Sequence, residues 1–122
     1  MEKAILEALA VGAFSARSFG CDAPLHTPML AQMEQQLEEI FADYSYAELS
    51  LPLMNHLNQD YLAAAEIPGF LLRELQLPVY WDRTYRALRN AGVTRFYEVG
   101  EGESLRKFNR WIDSDPGKAV TR

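Results

Sequence analysis

The chain has 122 residues, 48% of them hydrophobic, which suffices for one domain or less with a modest core. Its net charge of −5 argues against a nucleic-acid partner, and no stretch approaches the roughly 20 apolar residues of a membrane span. A single cysteine, Cys21, excludes a disulfide framework and favours a reducing compartment. We therefore predict a cytoplasmic protein that contacts neither nucleic acid nor membrane.

Charge is divided unevenly along the chain. Residues 1–72 contain two basic and ten acidic side chains, whereas residues 73–122 contain ten basic and seven acidic ones. Six basic side chains of the second half lie on two predicted helices: Arg83, Arg86 and Arg89 on one, and Arg106, Lys107 and Arg110 on the other. Such a cluster could steer an acidic partner, but the same spacing fits the solvated faces of amphipathic helices.

Hydrophobic periodicity divides the chain into helices and strands. Apolar residues at helical spacing predict helices over 2–10, 28–42, 67–76, 81–90 and 103–112. Apolar runs predict strands over 14–19, 51–57 and 95–99. Gly12 is placed to end the first helix, Pro28 suits the first turn of the second, and Pro78 stops the third. The succession of strand, helix, strand and helix predicts parallel strands in an α/β layer.

His26 lies directly before the helix that begins at Pro28. With Thr27 as N-cap, the ring is held at the start of that helix, where it could act as a general base. An ordinary loop histidine would have the same spacing. His56, on the strand predicted over 51–57, has no cysteine or histidine at metal-binding spacing, and we predict no metal site.

Three short motifs follow one another along the chain. Residues 23–30 read Ala-Pro-Leu-His-Thr-Pro-Met-Leu, residues 77–81 read Leu-Pro-Val-Tyr-Trp, and residues 98–105 read Glu-Val-Gly-Glu-Gly-Glu-Ser-Leu. Each motif is weak alone. In this order and spacing they resemble the C-terminal, histidine-bearing portion of malonyl-CoA:acyl carrier protein transacylases and of polyketide synthase acyltransferase domains. The resemblance covers about residues 3–113.

This resemblance implies a fold and a division of the chain. Residues 1–21 would close a ferredoxin-like small subdomain with its last helix and strand. Residues 22–113 would form the C-terminal part of an α/β-hydrolase-like acyltransferase large subdomain with parallel strands, and residues 114–122 a tail. Because parallel strands are normally covered on both faces, we expect such a chain to bind a missing N-terminal portion or to self-associate.

The resemblance also implies a reaction. In this family a serine takes an acyl group from coenzyme A and passes it to the phosphopantetheine thiol of an acyl carrier protein, in fatty acid or polyketide biosynthesis. His26 matches the general base, and the main-chain carbonyl of Glu74 matches the group that orients it. The coenzyme A thioester is a substrate, no cofactor is bound, and the acyl group is expected to be malonyl. Four arginines of the two basic helices become candidates for docking the acidic carrier: Arg83, Arg86, Arg106 and Arg110.

Several departures from the family keep other functions open. The 122 residues contain no Gly-x-Ser-x-Gly sequence for the nucleophile, so the chain alone is expected to be inactive. At three positions the chain differs from the residue usual in the family: His56 replaces an asparagine, Glu74 replaces a glutamine, and Glu101 replaces a proline. The chain could therefore be the histidine-bearing half of an acyltransferase, a non-catalytic interaction module derived from that fold, or an acyl hydrolase in which water replaces the carrier thiol.

Overall fold

The structure, a computed structural model, describes residues 2–18, 20 and 23–114. Its α-helices are α1 (Glu2–Ala10), α2 (Glu34–Ala42), α3 (Ile67–Glu74), α4 (Trp81–Asn90) and α5 (Ser104–Ser114). Two short 3-10 helices, Pro28–Met33 and Ala64–Glu66, lead directly into α2 and α3. The helices predicted from periodicity are confirmed, and their ends shift by only a few residues. The tail predicted over 114–122 lies outside the described residues, except for Ser114.

The end of α1 follows the prediction for Gly12. This glycine has a φ of 96°, in the left-handed region that side chains with a Cβ rarely adopt. Its N–H donates to the carbonyl of Leu9 at 3.1 Å, and the N–H of Ala13 donates to the carbonyl of Ala8 at 2.9 Å. These bonds satisfy carbonyls that the last turn of a helix leaves unpaired. Gly12 therefore ends α1.

In the described part of the chain the sheet is one antiparallel hairpin. β1 (Met54–Asn55) pairs with β2 (Asp60–Tyr61). The predicted strand over 51–57 is therefore wrong in length, and its expected parallel pairing is wrong as well. The reason is the short turn at 56–59, in which Gln59 has a φ of 60°. It returns the chain directly beside β1, whereas a parallel neighbour needs a crossover of about a dozen residues or more.

The other two predicted strands are wrong over the residues that the structure describes. Residues 14–18 and 95–99 belong to no strand. A strand needs a paired neighbour strand, and the sheet formed by the described residues includes neither segment. Phe19, the last residue of the strand predicted over 14–19, is outside the described residues.

The core is small and lies near the hairpin and on α4. Leu62 and Ala64 are buried just after β2, and Tyr85 is buried on α4. Other large apolar side chains are exposed, among them Phe14 at 88% and Val99 at 95%. The accessible area is 10110 Å², whereas a compact monomer of this length exposes about 6,700 Å². No described helix combines the length and the apolar character needed to cross a bilayer.

Candidate functional site

His26 lies in a tight turn that leads into the 3-10 helix Pro28–Met33. Its φ of 59° is in the left-handed region, where histidine is among the few side chains that are enriched. The hydroxyl of Thr27 donates to the carbonyl of Pro24 at 2.8 Å, which closes the turn around His26. The backbone of this turn therefore fixes where the imidazole projects.

Thr27 is the N-cap of the following 3-10 helix by its backbone conformation, and its side chain does not cap the helix. Its backbone is extended, with φ −132° and ψ 155°, as expected of an N-cap residue. The side chain makes no cap hydrogen bond; its hydroxyl instead donates to the carbonyl of Pro24. The first six residues of the predicted helix form a 3-10 helix, and α2 begins only at Glu34. The helix predicted over 28–42 is thus confirmed in extent but not in the geometry of its first turns.

Two hydrogen bonds join His26 to the C-terminal end of α3. Its main-chain N–H donates to the carbonyl of Leu75 at 2.8 Å, and its ring Nδ1 lies 2.8 Å from the carbonyl oxygen of Glu74. A carbonyl can only accept, so Nδ1 carries the proton and Nε2 keeps the lone pair of the neutral ring. The last carbonyls of a helix have no partner within it, so the end of α3 offers these acceptors without distortion.

This arrangement gives His26 the chemistry of a general base. The ring is half-buried and its Nδ1–H is fixed, so Nε2 is the atom that can take a proton from a nearby hydroxyl or thiol. The carbonyl at the end of α3 thus fixes the tautomer that a general base requires.

The side chain of Glu74 contacts the second histidine of the chain. Its Oε2 lies 3.4 Å from Nε2 of His56, whose ring packs edge-on against Phe70 with the centroids 5.5 Å apart. His56 lies in the turn between β1 and β2, not within a strand as predicted. Its Nδ1 is buried without a hydrogen-bond partner among the described residues. Within the same residues, no group of His, Cys, Asp and Glu side chains could hold a metal ion.

The two candidate docking arginines of α4 have different surroundings. Arg83 is exposed, and its guanidinium carbon lies 4.2 Å from the ring centroid of Tyr80, a cation–π contact. Arg86 is half-buried and donates to the carbonyl of Ile112 on α5 at 3.5 Å. Arg83 is therefore available to a partner, whereas Arg86 also joins the two helices.

The two candidate arginines of α5 line an open cavity of about 280 Å³ together with aromatic side chains of α4. Arg106 pairs with Glu103, the residue directly before α5, at 3.1 Å, and both side chains are well exposed. Arg110 is exposed and has no ion pair within the described part of the chain. Arg110 is thus the arginine of α5 whose charge is uncompensated.

α4 and α5 are joined by two side-chain hydrogen bonds. Trp81 Nε1 donates to Asn109 at 2.7 Å, and the hydroxyl of Tyr85 donates to Asp113 at 2.9 Å. Burial raises the pKa of Tyr85 above its ordinary value of 10.0, and the hydrogen bond to Asp113 and the charge of Asp113 raise it further. Two hydrogen bonds between side chains therefore hold α4 against α5.

Glu98 caps α5, a role that sequence reasoning missed. Its two carboxylate oxygens accept the N–H groups of Leu105 and Arg106, each at 3.1 Å. The first N–H groups of a helix have no internal partner, and a carboxylate there also interacts favourably with the helix dipole. Gly100 and Gly102, with φ of 129° and 105°, turn the chain so that Glu98 reaches the helix. The available signal was an acidic residue separated from a predicted helix by a Gly-x-Gly turn.

Comparison with known proteins shows what this chain is similar to. No protein-family model matches the chain. The malonyl CoA-acyl carrier protein transacylase of Bacillus subtilis is 26% identical over 114 residues, which cover 86% of this chain and 36% of that protein. The corresponding protein of Salmonella typhimurium is 27% identical over 106 residues, which cover 86% of this chain and 34% of that protein.

Solved structures give the same result for the fold. The malonyl-CoA:acyl carrier protein transacylase of Xanthomonas oryzae matches with a TM-score of 0.78 and 28% identity, over 93% of this chain and 36% of that one. The chain is similar to malonyl-CoA:acyl carrier protein transacylases in sequence and fold. The resemblance to this family and the α/β acyltransferase fold predicted from the three motifs are therefore confirmed. A malonyl transacylase in complex with a type II polyketide synthase acyl carrier protein has the same fold, with a TM-score of 0.80 and 24% identity over 93% of this chain and 37% of that one.

The chain spans about a third of the length of the transacylases that it matches. Within its 122 residues there is no Gly-x-Ser-x-Gly sequence.

Proposed function

We propose that the chain supplies the histidine of an acyltransferase that moves a malonyl group from coenzyme A to an acyl carrier protein. The observation that carries this proposal is the distance of 2.8 Å between Nδ1 of His26 and the carbonyl oxygen of Glu74. Similarity to transacylases supports the reaction class, and the hydrogen bond supports the tautomer that a general base requires. The coenzyme A thioester is a substrate here, no cofactor is bound, and the cytoplasm is the expected location.

In the proposed reaction His26 moves one proton in each half. A serine hydroxyl from outside these 122 residues donates its proton to Nε2 while its oxygen attacks the thioester carbonyl, and the ring returns the proton to the departing coenzyme A thiolate. In the second half, Nε2 takes the proton of the carrier's thiol, whose sulfur attacks the acyl-serine, and the serine oxygen recovers that proton. Throughout, the carbonyl of Glu74 keeps Nδ1–H engaged, so that only Nε2 exchanges protons.

Exposed apolar surface supports the requirement for a second portion. The accessible area of 10110 Å² exceeds by about half the roughly 6,700 Å² of a compact monomer of this length. Phe14, Leu51 and Val99 are among the exposed side chains. Soluble proteins seldom leave large apolar patches uncovered. We assign the cover to the serine-bearing portion of the enzyme, whether it belongs to the same polypeptide or to another; self-association is the competing arrangement.

Docking of the carrier is assigned to α4 and α5. Arg83 and Arg110 are exposed and have no ion pair among the described residues, so they can attract an acidic partner. Arg86 and Arg106 already contact Ile112 and Glu103, and we expect them to contribute less. The complex between a transacylase of this fold and its acyl carrier protein supports a carrier as the partner.

The proposal is tested by mixing the chain with a transacylase portion that carries the serine, adding malonyl-CoA, and measuring intact masses. A malonyl adduct on the serine-bearing portion that forms only in the presence of the chain supports the proposal. A stable complex that never forms an adduct would instead indicate an interaction module. An adduct released as free malonate in the presence of a carrier protein would indicate a hydrolase.

A further inference from the structure

We propose that His56 is a positioning residue for His26 and acts through Glu74. The inference rests on the proposed function, in which His26 is the general base, but it concerns a conformation that the chain itself can report. Glu74 is the residue that both histidines contact: its carbonyl accepts from His26 and its carboxylate faces His56. The three residues therefore form one connected unit across the end of α3.

The position of Glu74 explains why its carbonyl needs support. Glu74 is the last residue of α3, and Leu75 follows as the C-cap. A carbonyl in the last turn has no N–H four residues ahead to hold its direction, and helix ends fray. The direction of this carbonyl therefore depends on what holds the final turn, and the side chain of Glu74 is tied to a residue outside the helix.

His56 is itself held firmly enough to serve as that tie. Its ring packs against Phe70, which lies four residues before Glu74 and thus on the same face of α3. Its carbonyl accepts from the side chain of Gln59 at 2.6 Å, which closes the turn between β1 and β2. The side chains of His56 and Glu74 are 16% and 30% exposed, so their contact at 3.4 Å is partly shielded from water. The hairpin turn is thereby docked on the end of α3.

The environment of His56 favours the tautomer opposite to that of His26. Nε2 of His56 faces a carboxylate, which can only accept when ionised, so Nε2 carries the proton. Nδ1 is buried without a partner among the described residues, and a second N–H there would be costly to bury. We therefore expect His26 as the Nδ1–H tautomer and His56 as the Nε2–H tautomer. The chain contains only these two histidines, so each can be observed separately.

The test is the tautomer of His26 in the full chain, read from long-range proton–nitrogen spectra of nitrogen-15-labelled protein at about pH 8, above the ordinary histidine pKa of about 6.5. His56→Phe keeps a ring against Phe70 but removes the bond to Glu74. Glu74→Ala removes the carboxylate and leaves the carbonyl in the chain. In both variants we expect His26 to change from one dominant tautomer to an exchanging mixture, with Nδ1–H exchange with water at least tenfold faster. Glu74→Gln, which retains an acceptor oxygen, should recover most of the lost protection.

Glu34 offers a matched control. Its carboxylate accepts from the side chain of Gln76 at 3.1 Å, just beyond the end of α3, and it does not contact His56. Glu34→Ala should leave the tautomer of His26 unchanged. An unchanged His26 in both His56→Phe and Glu74→Ala overturns the inference, as does an equal loss in Glu34→Ala. Unfolding of Glu74→Ala but not of Glu34→Ala, seen by circular dichroism, would show a purely structural role and would overturn it too.

Activity separates this inference from the proposed function. In an assembly that transfers acyl groups, Glu74→Ala and His56→Phe should lower kcat about tenfold to 100-fold and leave KM nearly unchanged, because a base displaced by a fraction of an ångström loses rate and not affinity. Changes confined to KM would contradict positioning. If no assembly transfers acyl groups while the tautomers respond as expected, the proposed function fails and the coupling of His56 to His26 stands.

Discussion

The His26 site and the pair formed by α4 and α5 both join distant parts of the chain, but with different kinds of atoms. At His26 both acceptors are main-chain carbonyls, those of Glu74 and Leu75, each at 2.8 Å. Such an acceptor atom remains when the side chain that belongs to it is replaced, although its direction still depends on contacts such as that between Glu74 and His56. What the site cannot lose is the imidazole of His26, because its Nε2 is the proposed proton acceptor.

Between α4 and α5 the acceptors belong to side chains. Asn109 accepts from Trp81 at 2.7 Å, and Asp113 accepts from Tyr85 at 2.9 Å. Either bond is lost when one partner is replaced. At the His26 site one imidazole carries out the proposed proton transfer. On the α4–α5 pair, several side chains each contribute part of the stability. Chemistry should fail sharply at His26, and stability should decline in steps on α4 and α5.

Replacement of His26 should have the largest effect of any substitution. In an assembly that transfers acyl groups, His26→Ala should lower the initial rate about 10²–10⁴-fold, the range for loss of a positioned general base. The φ of 59° costs alanine roughly 1–2 kcal/mol, so this variant should also be slightly less stable.

His26→Asn separates these two effects, because asparagine tolerates the left-handed region but cannot act as a base at neutral pH. The two variants should lose equal activity, with His26→Asn the more stable in urea. Full transfer activity in His26→Asn would show that His26 is not the general base. The His26 site would then not differ from the α4–α5 pair by having a catalytic side chain.

On the α4–α5 pair, Tyr85→Phe should lower the free energy of unfolding by about 0.5–1.5 kcal/mol, the usual value of one hydrogen bond. The effect should depend on pH. Because the folded-state pKa of Tyr85 is raised above 10.0, its contribution is fully present below pH 10 and is lost as the pH rises through the folded-state pKa. Urea unfolding at several pH values above neutrality, with phenolate absorbance recorded in parallel, measures both.

Tyr97 provides the matched tyrosine, since its side chain is exposed. Tyr97→Phe should follow the native chain at every pH, whereas Tyr85→Phe should show a shallower alkaline loss of stability. Parallel alkaline curves for the native chain and Tyr85→Phe would show that the bond to Asp113 does not hold the helices together.

A smaller effect is expected at the cap of α5. Glu98→Ala removes both acceptors of the first N–H groups and should destabilise the chain by about 0.5–1 kcal/mol, the lower part of the range for cap residues, because Glu98 is exposed. Glu101→Ala removes an acidic side chain from the same turn without removing a cap bond. Equal losses in the two variants, measured by urea unfolding, would assign the effect to charge alone.

How far the sequence predicts this fold depends on how local each element is. α4 was predicted over its full length, because Trp81, Tyr85 and Leu88 repeat at helical spacing and the chain turns at Gly92. The segment at 95–99 has an equally apolar pattern but is no strand in the structure. A helix completes its hydrogen bonds within itself, whereas a strand depends on a neighbour that its own residues do not specify.

The candidate site shows the same limit. The contact between His26 and Glu74 spans 48 residues, and only the resemblance to a family, not periodicity, pointed to it. His56 and Glu74 were each noted as departures from that family, yet nothing in the sequence indicated that they contact one another. Side chains that meet through the end of a helix and the turn of a hairpin are brought together by packing, which local patterns do not encode.

Reversal of an exposed arginine on the α4–α5 pair should have the smallest effect. In an active assembly, Arg83→Glu and Arg110→Glu should each raise KM for the carrier about two- to fivefold, the scale of an exposed ion pair, and the rise should shrink as salt screens it. Acylation by malonyl-CoA should be unaffected, because the contacts of Arg83 and Arg110 in the described residues do not include His26. Lys3→Glu, the same charge change on α1, should leave both half-reactions intact. Arg86→Glu should mainly reduce stability, since Arg86 bonds to Ile112.

Equal losses in acylation and in transfer to the carrier would contradict this prediction. They would show that Arg83 and Arg110 support the fold and do not dock a carrier, so that α4 and α5 would have no role in recognition.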